Sequence, residues 1–246
     1  LIGGALFVIT ADQKDSRSDV DRAGTVLDDL NRDFANALAL PVDRTAGDEI
    51  QALVSDAADA LTLVLDLTRR ERWSVGLGIG DVRTPLPSAT REATGSAFIA
   101  ARDAVEAAKR SPTRFALVVA PPSADDGDGY GDGDGASEES GSDSELGARS
   151  SAALTAVTGE EVEALVTLLL AARDRRTPQG WEVADLLQTI DSQKHVATAL
   201  GVSPQAVSTR VRTSGWRTEK AALPGLVKLL ASLDSATAAS AEPAPS

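Results

Sequence analysis

An α+β fold followed by a small all-helical unit is what this chain predicts, and three observations carry that prediction. Over residues 1–120, short apolar runs such as ALFVITA and RFALVVA alternate with stretches of helical periodicity. A segment poor in apolar side chains, PPSADDGDGYGDGDGASEESGSDSELGARSS at 121–151, then breaks the pattern. Beyond it the spacing of apolar residues is helical throughout.

The elements follow in order. ALFVITA (5–11) is nearly all apolar and has the length of a buried strand. In SDVDRAGTVLDDLNRDFANAL, residues Val20, Ala23, Val26, Leu27, Leu30 and Phe34 recur at helical spacing, with Ser18 as the N-cap. PVDRT and EIQALV flank Ala46-Gly47-Asp48 as a β-hairpin. SDAADALTLVLDLTRRE is a second helix, RWSVGLGIGDV (72–82) a strand, ATGSAFIAARDAVEAAKR a third helix, and RFALVVA a last buried strand. The resulting order, β-α-β-β-α-β-α-β, is that of a split-βαβ, ferredoxin-like sheet with its helices on one face. Gly76, Gly78 and Gly80 alternate at period two within a strand. They lack the strand-to-helix turn of a dinucleotide loop, and are expected to let a backbone or a ligand pass close over the sheet.

The low-complexity segment cannot bury enough surface to offset the entropy of ordering, so a disordered acidic linker is expected at 121–151. Its DGDGYGDGDG run lacks the twelfth-position Glu and flanking helices of an EF-hand. The domains expected are therefore 1–120, the linker, a helical unit at 152–234 and a disordered tail at 235–246. The net charge of -13 is unevenly spread: residues 121–150 hold nine acids and one arginine, while residues 191–228 hold six basic residues and two acids. The chain has no cysteine and no methionine, which excludes disulfides, zinc–thiolate clusters and thiol chemistry. LIGGALFVIT has no basic residues before it and no small-residue cleavage site after it. VEALVTLLLAA is too short and too closely flanked by charge to span a bilayer. A cytoplasmic protein without a membrane partner is expected.

A ferredoxin-like order brings the end of the first strand beside the tip of the hairpin, and so Asp12 toward Asp48 and Glu49. Two carboxylates at turns suit Mg²⁺, which keeps its waters and binds substrate phosphates. The alternative is that both simply close turns, where Asp is common.

The segments VITADQKDSR, DRTAGDEIQALV, WSVGLGIGDV and GSAFIAARDAVEAAKR, in this order, resemble the motifs of the SatD family over most of residues 5–110. That family is similar to class III nucleotidyl cyclase and GGDEF-type domains. The resemblance implies metal-binding carboxylates at Asp12 and Asp48 and a nucleotide-like ligand held near Asp12, Gly47, Asp48, Glu49 and Arg102. It also implies a helix carrying Gly, Asn and Arg that stabilises the transition state. Gly95 and Arg102 answer to two of these, but Phe98 and Ile99 stand where the Asn is expected, and neither donates the hydrogen bonds required there. A degenerate cyclase-like domain, not an enzyme, is expected.

The most specific signal is QKHVATALGVSPQAVSTRVRTSGW (193–216). Val196, Ala197 and Leu200 form one apolar face, Gly201 supplies a tight bend, and Val202 returns to the core. Ser203 caps a new helix and Pro204 fits its first turn. Val207 and Val211 lie on its buried side. Ala197, Gly201 and Val207 keep the offsets of a helix-turn-helix, whose helices must cross closely. Ser203, Gln205, Ala206, Ser208, Thr209, Arg210 and Arg212 are then the candidate DNA-binding residues. His195, the only histidine, has no second histidine or cysteine with which to build a triad or zinc site. TGEEVEALVTLLLAARD, with a capping box at Thr158 and Glu161, WEVADLLQTI and LPGLVKLLASL complete the helical unit.

The function expected is that of a DNA-binding transcriptional regulator, homodimeric on double-stranded DNA, with a ligand-sensing N-terminal domain. The alternatives are a Mg²⁺-dependent nucleotide-acting enzyme, cyclase or cyclohydrolase-like, using Asp12 and Asp48, or an adaptor that never meets DNA.

Overall fold

A computed structural model describes residues 6–16, 21–45, 47–70, 72–121 and 157–241. The expected Ser18 cap, nearly all of the 121–151 linker and the last five residues of the tail lie outside them.

The first strand, β1 (Leu6–Gln13), runs two residues further than expected, so Asp12 is inside the strand rather than after it. It is central because both of its faces are apolar: Phe7, Ile9 and Ala11 enter one core cluster, Leu6 and Val8 another. Around it lie β2 (Leu38–Arg44), β3 (Glu49–Val54), β4 (Trp73–Gly80) and β5 (Phe115–Val119), in the order β2-β3-β1-β4-β5. Every neighbouring pair is antiparallel except β4 and β5, which are parallel. The fold class is thus α+β, with a mixed five-stranded sheet.

Helices α1 (Ala23–Asp33) and α2 (Ala57–Arg69) cover the face of Phe7 and Ile9. The side chain of Asp56 caps α2 by accepting from the amides of Ala58 and Asp59. Helix α3 (Ser96–Ala108) lies on the other face, which corrects the expectation of helices on one face only. The cause is the glycine stripe of β4. A Cβ on Gly76 would fall 2.2 Å from the backbone N of Val105, and one on Gly78 would fall 2.3 Å from the backbone N of Ala101. The alanine-rich side of α3 therefore rests directly on the strand backbone, and the close passage expected at these glycines is that of a helix. Because β1 is antiparallel to both β3 and β4, those two strands are parallel to each other. The crossovers through α2 and α3 run in the same direction between parallel strands but over opposite faces. They therefore have opposite hands, and one departs from the usual right-handed rule.

The place beside α2 left free by this arrangement is filled from the C-terminal half. Helix α4 (Gly159–Asp174) begins with the expected capping box, the side chains of Thr158 and Glu161 each bonding the other's backbone amide. Its Val162, Val166 and Leu170 join Leu77, Ile79 and Leu117 in one core with Leu226, Leu230 and Leu233 of the last helix. Glu163 accepts from the backbone N–H of Leu117 at 2.7 Å and so covers a donor of edge strand β5. The last helix, α8 (Trp216–Ala241), is continuous through Pro224, where LPGLVKLLASL was expected to start afresh, and it extends into the segment expected to be a disordered tail. The helical segment expected as a unit of its own is thus divided: α4 and α8 belong to the core of the sheet.

The remaining three helices, α5 (Pro178–Thr189), α6 (Gln193–Leu200) and α7 (Pro204–Thr213), share a separate small core of Val183, Leu187, Val196, Ala197, Val207 and Val211. Arginines fasten this core to the sheet. Arg69 of α2 makes a two-pronged ion pair with Asp185 of α5, both contacts 2.7 Å. Arg173 and Arg176 share the carboxylate of Glu219 on α8. All three guanidinium groups sit within 5 Å of the centroid of the Trp181 ring, at 4.0, 4.8 and 4.3 Å. Among the described residues no helix is long and apolar enough to cross a membrane.

Gly24 gives a clean contrast to the sheet glycines. It is helical, and a Cβ there meets nothing within 4 Å. Gly24→Ala is expected to stabilise the protein by about 0.5–1 kcal/mol through helix propensity and reduced unfolded-state entropy. A urea unfolding curve with an unchanged or lower midpoint would contradict this.

Candidate functional site

Two surfaces collect the residues singled out in the sequence. The first lies on the α3 face of the sheet. Antiparallel register sets Asp12 opposite Glu49 and Thr10 opposite Gln51, so these four side chains share one face. Thr10 and Gln51 are buried and bonded to each other at 3.2 Å. A cleft of about 470 Å³ opens here, lined by Thr45, Glu49, Gln51, Arg91, Ala93, Phe98 and Arg102. Thr45 donates to Glu49 at 2.5 Å, and Arg91 is paired with Asp43 at 3.2 Å. Arg102 is exposed and makes no ion pair among the described residues.

The structure thus brings Glu49 and Arg102 together and leaves the other expected members outside the cleft. Asp12 is held by Lys109, at the end of α3, at 3.1 Å. Burial by itself lowers the Lys109 pKa, but hydrogen bonds to Glu106 and Asp12, and their charges, hold it above the ordinary lysine value. Gly47, at φ 57°, and Asp48 form the hairpin turn. The Gly47 carbonyl accepts from Arg44, and the Asp48 carbonyl accepts from the Gln13 N–H at 3.3 Å. The hairpin tip does lie beside the end of β1, as expected, but the residue opposite Asp12 is Glu49 rather than Asp48.

The ammonium group of Lys109 lies beside Asp12, and among the described residues no group of three or more His, Asp or Glu side chains gathers to hold a metal. On α3, Phe98 is buried against the sheet whereas Ile99 is 64% exposed, so only the first belongs to the cleft. Neither offers a polar group.

The second surface is the turn between α6 and α7. Gly201 is left-handed at φ 65°, its N–H bonding the carbonyl of Thr198 at 3.2 Å, and the N–H of Val202 reaches back to Ala197 at 3.0 Å. This double closure ends α6 and aims the chain into the next helix. The hydroxyl of Ser203 accepts from the amide of Ala206 at 3.2 Å, with Pro204 in the first turn. Val207 and Val211 then face the three-helix core, and the opposite side of α7 carries Gln205, Ser208, Thr209 and Arg212, all exposed. Ala206 is half-buried.

Arg210 differs from the other expected contacts. It is turned along the unit to pair with Glu182 of α5 at 3.1 Å, because its position on the helix lies between the outer stripe and the valines. Lys194 and His195 on α6, with Arg217 and Lys220 on α8, are also exposed. Sequence reasoning missed the cluster of Arg69, Arg173, Arg176, Trp181 and Glu219. The run ARDRRTPQGW marks part of it, but Arg69 and Glu219 join it only through the fold.

Comparison of the chain with protein-family models, with curated proteins and with solved structures yields no match.

Proposed function

We propose that the chain is a DNA-binding regulator in which α7 enters the major groove. One observation carries this reading: a capped helix, entered through a tight glycine turn, presents Gln205, Ser208, Thr209 and Arg212 as an exposed stripe over a packed three-helix core. Short polar side chains with one arginine suit base edges, while Lys194, Arg217 and Lys220 suit the flanking phosphates. The excess of basic residues across 191–228 favours a polyanionic partner despite the acidic whole. A single unit this small binds weakly, so two copies on paired half-sites are part of the proposal. The arrangement β4-β1-β3-β2, antiparallel throughout, supports a ferredoxin-like reading of the sheet, with β5 and α3 added to it. With Asp12 neutralised by Lys109, that domain is proposed as a scaffold or sensor and not as an enzyme.

Binding to duplex DNA followed by fluorescence anisotropy tests the reading. Arg212→Ala is expected to lower affinity by about 1–3 kcal/mol if it reads a base, or to reduce the salt slope by about 1 if it grips a phosphate. Arg210→Ala is expected to do less, since its guanidinium already serves Glu182. Unaltered binding and salt dependence in Arg212→Ala would exclude α7 as the reading helix.

A further inference from the structure

A second cavity, of about 680 Å³, lies where the sheet meets the three-helix unit, and its lining is dominated by cations: Arg69, Arg114, Arg173, Arg175 and Arg176, with Trp181 at its side. Its size is that of a small-molecule site. We propose that this pocket binds a small phosphorylated anion.

The arginines divide into a frame of three and two others. Arg69, Arg173 and Arg176 form the frame, fixed by Asp185, by Glu219 and by the Trp181 ring. The other two make no ion pair among the described residues. Arg114 is held with φ at 53°, in the left-handed region, and donates through Nη2 to Ser74 at 2.5 Å. Its Nε is buried and has no hydrogen-bond partner among the described residues, a condition that native interiors rarely leave unmet. Arg175 is exposed and makes no ion pair among the described residues. Asp174 is the one acid in the lining, against five arginines.

The chemistry of the ligand follows from what is still open. Three guanidinium groups already crowd the indole of Trp181, which leaves little of its surface for a stacked base. Recognition therefore falls to the planar N–H fork of Arg175, which matches the oxygens of phosphate, while the Arg114 guanidinium adds positive charge at the wall. The pocket borders both the end of α2 and the start of α5, so an occupant would touch the sheet and the three-helix unit together. In the regulator reading this would couple ligand to DNA, but the site itself does not depend on that reading.

Pyrophosphate is the probe. Tryptophan fluorescence of the full chain, titrated at constant ionic strength, is expected to change saturably, because Trp73 and Trp181 both line the pocket. Arg114→Gln with Arg175→Gln should weaken binding at least tenfold, and Arg212→Gln should leave it unchanged. Circular dichroism checks that the double variant folds; if it does not, Arg175→Gln alone decides, with a weakening of at least threefold expected. No saturable signal, or equal affinity in the deciding variant, would overturn the proposal. Duplex affinity separates the two sources of phosphate. It should be unaffected by Arg175→Gln, and its loss there would assign the pocket to the nucleic-acid backbone instead. Failure of the DNA reading would show in Arg212→Gln alone, with pyrophosphate binding intact.

Discussion

Glu219→Ala is expected to destabilise the protein by about 3–5 kcal/mol, the usual cost of removing one partner from a buried ion pair. Among the described residues, Glu219 is the only acid paired with both Arg173 and Arg176. Its side chain is 11% exposed and that of Arg176 only 3%, so solvent screens the pair little. Burial already holds the Arg173 pKa below the ordinary arginine value, a sign that its charge is costly there even with Glu219 in place. At roughly 2–4 °C per kcal/mol for a chain of this size, the melting temperature should fall by roughly 6–20 °C. Asp185→Asn, at a more exposed pair with Arg69, should cost no more than about 1 kcal/mol. Similar small losses in both variants would show that the arginine cluster does not hold the halves together.

Gly78→Val carries the second large effect. Its Cβ would lie 2.3 Å from both the amide N of Ala101 and the carbonyl O of Ala97, and these are backbone atoms of α3 that no rotamer change can move. Helix α3 would have to lift from the sheet, opening the contacts of Ala97, Phe98 and Ala101 with Leu6 and Val8. Overpacking of this kind costs about 3 kcal/mol, or roughly 6–12 °C in melting temperature. Fluorescence-detected thermal melting beside the Gly24→Ala variant checks the contrast. A Gly78→Val protein as stable as the parent would mean that α3 does not rest on β4.

Much of this was legible in local chemistry. Thr158 with Glu161, Gly201 with Val202, and Ser203 with Pro204 each specify a helix end through bonds within a few residues, and the structure contains all three. Strand and hairpin placement around Gly47 followed for the same reason. What failed was non-local. The glycines of β4 announced a close passage, yet their face is opposite Val75, Leu77 and Ile79. Only that parity, read together with the alanines of α3, reveals a crossover on the far side. Likewise Val162, Val166 and Leu170 look the same in a sequence whether they pack on other helices or on a sheet. At the candidate sites, the register that pairs Asp12 with Glu49, the reach of Lys109 to Asp12 and the turn of Arg210 toward Glu182 depend on neighbours from distant elements.

Selection from a pool of randomised duplexes by the full chain, followed by sequencing, tests whether α7 reads duplex DNA. The result expected is an enriched motif, repeated as two half-sites about 10 base pairs apart if two copies bind, whose enrichment disappears with Arg212→Ala. A pool that stays random, or a motif equally enriched by the Arg212→Ala protein, would contradict it.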